Sequence, residues 1–156
     1  MGFFSPDEIV SDSCLAIDNA TLYEFGVLES SIHMTWVKYT CGRIKSDYRY
    51  SNEMVYNNYP WPLDPSVKNM NKVELKAQKV LDIRIEFTES SLADLYHPLT
   101  MPPKLFKAHQ ELDKAVDLCY RSQAFTNENA RIEYLFDLYN QYTIPLLSEK
   151  GTKKNK

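Results

Sequence analysis

Glycine, cysteine and histidine are scarce in this chain of 156 residues, and their scarcity excludes several kinds of site. Four glycines leave no glycine-rich loop that could cradle a phosphate or a dinucleotide. The three cysteines, Cys14, Cys41 and Cys119, are odd in number and widely spaced, which argues against a disulfide framework and a zinc knuckle. This cysteine usage is typical of a reducing compartment, and we expect a cytoplasmic protein.

Long apolar runs and a strong charge of either sign are also missing. No apolar run approaches the roughly 20 residues that span a bilayer, and the N-terminus carries no signal-peptide pattern, so we expect no membrane partner. The formal net charge of −3 argues against a protein that coats nucleic acid by bulk electrostatics. A contact with DNA would therefore be made by a local basic strip on an acidic body.

The usual parts of an active site cannot be assembled from this sequence. The three histidines, His33, His97 and His109, fall on different predicted elements, and no His, Cys and carboxylate cluster has metal-ligand spacing. No serine lies in a nucleophile elbow. We predict no catalytic residue, no cofactor-binding residue and no metal site in this chain, and a structural role for His109.

Hydrophobic periodicity predicts a mainly α fold with a small β element near the N-terminal third (α+β), followed by a helical C-terminal bundle. Alternation over residues 14–17 predicts a short strand. Thr21 and Glu24 then form a capping box that opens one buried helix over about residues 21–40, which Gly42 ends.

Three further helices are predicted downstream. Apolar residues at helical spacing place them at about residues 68–86, from the proline pair at 102 and 103 to about Tyr120, and from Asn127 until Pro145. Ser91 and Asp94 offer another capping pair.

Tyrosine, asparagine and basic residues crowd into "GRIKSDYRYSNEMVYNNYPWP", residues 42–62. Tyrosine and arginine stack on bases, asparagine reads base edges and basic residues meet phosphates, so one interpretation is nucleic-acid binding. The other is structural, because amphipathic aromatics fasten irregular segments onto helices. Composition alone favours the structural interpretation.

Several unusual sequence segments occur in the same order as in one known protein family. The segments "FGVLESSIHMTWVKYTCGRIKSDYRYSNEMVYNNYPWP" and "SSLADLYHPLTMPPKLFKAHQELDKAVDLCY", followed by "ARIEYLFDLYNQYT", resemble the C-terminal portion of the MmeI-like family. Its members are large single-chain bacterial restriction-modification enzymes, in which a nuclease, a helical spacer, an adenine-N6 methyltransferase and a target-recognition domain follow one another.

The resemblance implies that this chain is a fragment of such an enzyme. Residues 1–65 would be the end of the target-recognition domain with a junction strip, residues 66–148 the C-terminal helical domain, and residues 149–156 a flexible basic tail. The chain would help to position double-stranded DNA and would contact the methyltransferase and recognition domains. S-adenosylmethionine, and Mg²⁺ if a nuclease is present, would belong to the parent enzyme.

The resemblance also implies roles within the strip. Arg43, Lys45 and Arg49 would contact the DNA backbone, unless Arg43 and Arg49 pair instead with Asp47, Glu53 or helix-end carbonyls. The aromatic residues of the strip would lock the junction between the domains, and they are Tyr48, Tyr50, Tyr56, Tyr59 and Trp61.

Two other functions stay open. In one, the chain binds single-stranded nucleic acid through exposed aromatic platforms at Tyr48, Tyr50, Tyr56 and Trp61. In the other, it is a helical protein-interaction module whose aromatic face binds a partner.

Overall fold

The computed structural model describes residues 1–11, 14–45 and 47–151. The elements are, in chain order, α1 (Leu22–Leu28), α2 (Ser31–Thr40), β1 (Gly42–Ile44), β2 (Asp47–Arg49), a π-helical turn (Asn52–Tyr56), α3 (Val67–Ile85), α4 (Leu92–Leu95), α5 (Pro103–Tyr120) and α6 (Glu128–Gly151). The mainly α fold with a small β element is confirmed. Among the described helices, none combines the length and the apolar character needed to cross a membrane.

The described residues form two compact units that are interleaved along the chain. The first unit contains those within 1–31 and 63–124, and the second contains those within 32–62 and 125–156. The sequence-based division at residue 65 refers to family domains and stays a prediction.

The first unit is built on the antiparallel pair of α3 and α5. The side-chain amide of Asn69 donates to the Leu118 carbonyl at 2.8 Å near one end of the pair. Apolar residues at helical spacing fill the core between the helices, and the fully buried ones include Val73, Ala77, Val80, Leu105, Leu112 and Val116. Because these helices carry a regular apolar stripe, the predicted bounds 68–86 and 102–120 differ from the observed ones by a single residue.

Helix α1 lies against α3 and α5 at Gly26. A Cβ atom at this position would lie 2.6 Å from Val73 Cγ1 and 3.2 Å from Ala77 Cβ. Glycine therefore permits a close approach of the α1 backbone. The predicted capping box is confirmed, since the Thr21 amide donates to Glu24 Oε2 at 2.8 Å and the Thr21 side chain caps the first turn.

The prediction of one helix over residues 21–40 was wrong, because the helix breaks between α1 and α2. The Ser30 hydroxyl donates to the Val27 carbonyl at 2.5 Å, the acceptor that a continuous helix would offer to the Ser31 amide. The Ser31 amide donates instead to Asp113 Oδ1 at 2.7 Å. A carboxylate of α5 thus accepts the hydrogen bond of the Ser31 amide within the first unit, which local periodicity cannot reveal.

Two other local predictions were wrong. Residues 14–17 are irregular, with Leu15 half exposed, and the paired strands of the described residues lie elsewhere, so the alternation at 14–17 has no partner. Helix α6 continues past Pro145 to Gly151, since loss of one amide donor does not always end a helix. The predicted basic tail lies partly in α6, and residues 152–156 lie outside the described part.

The second unit packs α2 and α6 with the segment that follows the strands. Trp36 of α2 is 2% exposed and contacts the rings of Phe136 and Tyr139 on α6 at centroid distances of 5.5 and 5.8 Å. Its indole Nε1 donates to the carbonyl of Val55, a fully buried residue of the π-helical turn. A large aromatic side chain therefore connects three elements of this unit.

Candidate nucleic-acid interface

Strands β1 and β2 form an antiparallel hairpin at the start of the strip 42–62. Gly42 pairs with Arg49, Arg43 with Tyr48, and Ile44 with Asp47. Every described residue from 42 to 49 is exposed. A two-stranded hairpin without a buried face gains little stability from packing, so its exposure needs another explanation.

The side chains of the two hairpin arginines lie on opposite faces of the hairpin. Side chains that are paired across strands share a face, and neighbours along a strand alternate. Arg43 and Tyr48 therefore share one face, while Arg49 shares the other with Ile44 and Asp47. The Arg43 guanidinium carbon lies 4.7 Å from the centroid of the Tyr48 ring, so the tyrosine supports the arginine by a cation–π contact.

Lys45 lies at the hairpin turn with a backbone φ of 57°. This left-handed conformation is uncommon for residues other than glycine, asparagine and aspartate. The turn therefore holds a long cationic side chain at the tip of the hairpin, where it is exposed.

The three basic residues of the hairpin have no carboxylate partner. Within the described part of the chain, Arg43, Lys45 and Arg49 form no ion pair, and neither Asp47 nor Glu53 engages them. The alternative pairing of Arg43 and Arg49 with Asp47 or Glu53 is therefore not found among the described residues. The hairpin presents three uncompensated positive charges on two faces and a tip.

Tyr50 fastens the base of the hairpin to α2. Its hydroxyl lies 3.1 Å from Nε2 of His33, whose side chain is 2% exposed. Burial raises the pKa of Tyr50 to about 12, with smaller contributions from Tyr56 and Cys41, so the phenol stays neutral. The base of the hairpin is thereby connected to a buried side chain of the second unit.

The remaining aromatics of the strip pack within the second unit. Tyr59 is 4% exposed, with its ring edge-on to His33 at a centroid distance of 4.5 Å. Trp61 contacts the rings of Tyr56 and Tyr59. The Trp61 carbonyl accepts a hydrogen bond from the Tyr142 hydroxyl at 2.9 Å. The strip therefore has an exposed basic half at 42–49 and a second half at 50–61 whose aromatic side chains pack within the unit.

Two features of this site lay outside the sequence interpretation. Tyr48 was grouped with the junction aromatics, and it lies on the exposed hairpin beside Arg43. The hairpin was not predicted from the sequence, because residues 45 and 46 lack the Asn-Gly or Asp-Gly signal of a tight turn. The strand pairing supplies the missing geometry.

Among the described residues, no group of three His, Cys, Asp or Glu side chains could hold a metal ion. His109 belongs to a polar chain in the first unit. The Arg84 Nε donates to the Tyr96 hydroxyl at 2.7 Å, and that hydroxyl lies 2.6 Å from His109 Nε2. Arg84 also pairs with Glu29 Oε2 at 3.0 Å. These contacts fix the positions of α3, α4 and α5 against each other.

Comparisons with family models, with curated proteins and with solved structures all find restriction-modification enzymes or DNA methyltransferases. The model of the MmeI target recognition domain matches residues 1–63, and the model of the MmeI C-terminal domain matches residues 65–147. DNA methyltransferase A of Bacillus subtilis (strain 168) is 41% identical over 143 residues, which are 92% of this chain and 16% of that protein.

A solved structure of the Type IIL restriction-modification enzyme MmeI in complex with DNA is similar with a TM-score of 0.76 and 43% identity. The similarity covers 80% of this chain and 17% of MmeI. The chain thus spans about a sixth of the length of the relatives it matches.

Proposed function

The chain belongs to the MmeI family of restriction-modification methyltransferases, as its target-recognition and C-terminal domains, and we propose that it positions duplex DNA through the hairpin at residues 42–49. The observation that carries this proposal is the set of three cations without an ion-pair partner on a hairpin whose described residues are all exposed. Exposed basic side chains without carboxylate partners are the groups that bind DNA phosphates.

The geometry of the hairpin suits a groove of the duplex. The major groove admits a two-stranded β-ribbon. In such a position, Arg43 and Arg49 leave opposite faces of the ribbon and reach the phosphates on the two sides of the groove. Lys45 at the tip adds a third positive charge. Phosphate contacts of this kind place the protein on the duplex without reading its sequence.

The packed half of the strip has a different proposed role. Tyr50, Tyr56, Tyr59 and Trp61 hold the segment after the hairpin in place, and thereby set the direction in which the hairpin leaves the helices. Binding of single-stranded nucleic acid by stacking is disfavoured, since Tyr48 alone among the four proposed platforms is an exposed large apolar side chain.

We further propose that catalysis belongs to the longer parent enzyme, which would use S-adenosylmethionine for adenine-N6 methylation and Mg²⁺ where a nuclease is attached. This chain by itself would bind neither and would transfer no methyl group. Titration calorimetry of the purified chain with S-adenosylmethionine tests this, and stoichiometric binding would contradict it.

The hairpin proposal is tested by the salt dependence of binding. Binding of the chain to random-sequence duplexes is measured by fluorescence anisotropy at several salt concentrations for the wild type and for Arg43→Ala/Lys45→Ala/Arg49→Ala. Each lost phosphate contact lowers the log–log slope by about 0.9. The matched control is Arg43→Lys/Arg49→Lys, which keeps both charges and is expected to keep the slope.

Two results would overturn this proposal. An unchanged slope in the alanine variant would show that the hairpin does not meet phosphates. A loss of affinity for one duplex sequence with random duplexes unaffected would show that the hairpin reads bases instead.

A further inference from the structure

A second basic surface lies in the first unit, away from the hairpin sequence. Helix α3 carries Lys68, Lys72, Lys76 and Lys79, at spacings of four, four and three residues. Residues at these spacings lie on one face of a helix. The lysines therefore form a continuous row on one side of α3.

Helix α5 runs beside this row and adds to it. Nζ of Lys76 and Nζ of Lys79 each lie 2.9 Å from Glu111 Oε2, which places the row next to Glu111. The lysines of α5 lie three, four or seven residues from Glu111, on the same side of that helix. We call the combined surface the basic face, and it consists of Lys68, Lys72, Lys76, Lys79, Lys104, Lys107 and Lys114 with Asp82, Glu86 and Glu111.

The charge of the basic face is only partly compensated. Glu111 serves two lysines, which lower the pKa of its carboxyl to about 2, and Lys104 pairs with Glu86 at 2.5 Å. The other lysines of the face are exposed and form no ion pair among the described residues, and they are Lys68, Lys72, Lys107 and Lys114. A chain with a formal net charge of −3 thus concentrates seven lysines against three carboxylates on one surface.

The row on α3 is not arranged as a solvated helix face usually is. Exposed helix faces gain stability when glutamate and lysine alternate at i and i+4, and like charges at that spacing repel each other. Lys68, Lys72 and Lys76 are like charges at successive i and i+4 positions. The repulsion disfavours the free helix, and a polyanion on the face relieves it.

We propose that the basic face binds the phosphate backbone of duplex DNA without regard to sequence. The proposal rests on the proposed function, because a chain that positions duplex DNA lies close to the phosphates of that duplex. The row from Lys68 to Lys79 is about 16 Å long at the rise of an α-helix. Phosphates of one DNA strand follow each other at roughly 3.4 Å along the duplex axis, so the row spans several of them.

The chemistry of the side chains also favours sequence-independent contact. All seven cations of the basic face are lysines, whereas two of the three hairpin cations are arginines. Lysine acts as a flexible point charge on phosphates, and arginine makes the directional paired bonds that recognise one group. The basic face therefore adds affinity and salt dependence and no preference for one sequence.

The test compares two variants that change the same four positions. One is Lys68→Gln/Lys72→Gln/Lys107→Gln/Lys114→Gln, which removes the unpaired charges. The other replaces the same lysines by arginine and keeps the charges. Each is measured as the full chain against random-sequence duplexes at several salt concentrations, with thermal melting to verify folding.

The glutamine variant is expected to bind more weakly, with a slope reduced by about 0.9 for each phosphate contact that is lost. The arginine variant is expected to keep the wild-type slope. A glutamine variant that is folded and binds with the wild-type slope would overturn the proposal, and the hairpin variants described above would still report on the proposed function independently.

Two further outcomes would also overturn the assignment. If the chain binds vesicles that contain phosphatidylserine, and the glutamine variant loses that binding but keeps duplex binding, the face contacts a membrane surface. If the wild-type chain binds no duplex even at the lowest salt concentration, both the basic face and the hairpin lack the proposed role in this chain.

Discussion

The indole Nε1 of Trp36 donates a hydrogen bond of 3.1 Å to the carbonyl of Val55, and both residues are almost completely buried. This bond joins α2 to the π-helical turn that follows the exposed hairpin. A buried carbonyl without a donor costs free energy, so this contact links the position of the strip to the core of the second unit.

We expect Trp36→Phe to lower the free energy of unfolding by about 1–3 kcal/mol, because it leaves the Val55 carbonyl unpaired in addition to the lost volume. Urea unfolding followed by circular dichroism measures this. The control is Trp61→Phe, the same change at a less buried ring for which no indole hydrogen bond is found among the described residues. Equal losses in the two variants would show that the indole bond does not contribute.

Gly26→Ala tests the close approach of α1. Alanine favours the helix by itself, yet its Cβ would lie 2.6 Å from Val73 Cγ1, and we expect a net destabilisation of about 1–3 kcal/mol from overpacking. The matched control is Gly42→Ala, where an added Cβ meets no atom within 4 Å. Thermal melting distinguishes the two positions. A rise in melting temperature for Gly26→Ala would mean that α1 can shift away at little cost.

The polar chain through Tyr96 predicts a pH dependence of stability. Arg84 donates to the Tyr96 oxygen, and the Tyr96 hydroxyl shares a hydrogen bond with Nε2 of His109. Burial lowers the pKa of His109 below its ordinary value, Arg84 lowers it further, and Glu29 opposes this change. The unfolded chain then takes up a proton at a pH where the folded chain does not. Stability is therefore complete above a pH of about 6.5 and decreases as the pH falls below it.

We expect His109→Gln to lose less stability than the wild type between pH 7.5 and pH 5.5, although its stability at pH 7.5 is lower. Urea unfolding at three pH values measures the slopes. His97→Gln serves as the control because His97 is exposed. Parallel curves for the wild type and His109→Gln would contradict the role of His109.

Thr21→Ala should lower the free energy of unfolding by about 1 kcal/mol, because the Tyr23 amide loses its acceptor and Glu24 loses the Thr21 hydroxyl while it keeps the Thr21 amide. Thr21→Ser keeps the hydroxyl and should keep most of the stability. Chemical denaturation of both variants provides the comparison. If the alanine and serine variants are equally stable, the capping box does not contribute to folding.

Regular helices with their own caps could be predicted from the sequence, and features fixed by distant residues could not. The bounds of α3 and α5 follow from apolar stripes, and the opening of α1 follows from Thr21 and Glu24. The break before α2 depends on Asp113. Its carboxylate accepts a hydrogen bond from the Ser31 amide, which lies 82 residues away in the sequence. Only the packed structure brings these two groups together.

The candidate interface was predictable in its residues and not in its geometry. Arg43, Lys45 and Arg49 were singled out by composition and by the family resemblance, but the strand register that sends the two arginines to opposite faces required the structure. The sequence shows the helical spacing of the lysines on α3 but not what lies beside them. Their position beside α5 required the structure, because Lys76 and Lys79 both pair with Glu111 of that helix.

The interleaving of the two units limits how this chain can be recombined with its relatives. The chain passes from one unit to the other after residues 31, 62 and 124. A chimera with a single crossover near residue 65 would join halves of each unit from different parents and would mismatch both cores. Exchange of residues 32–62 together with residues 125–156 would transplant one intact core, and with it the hairpin.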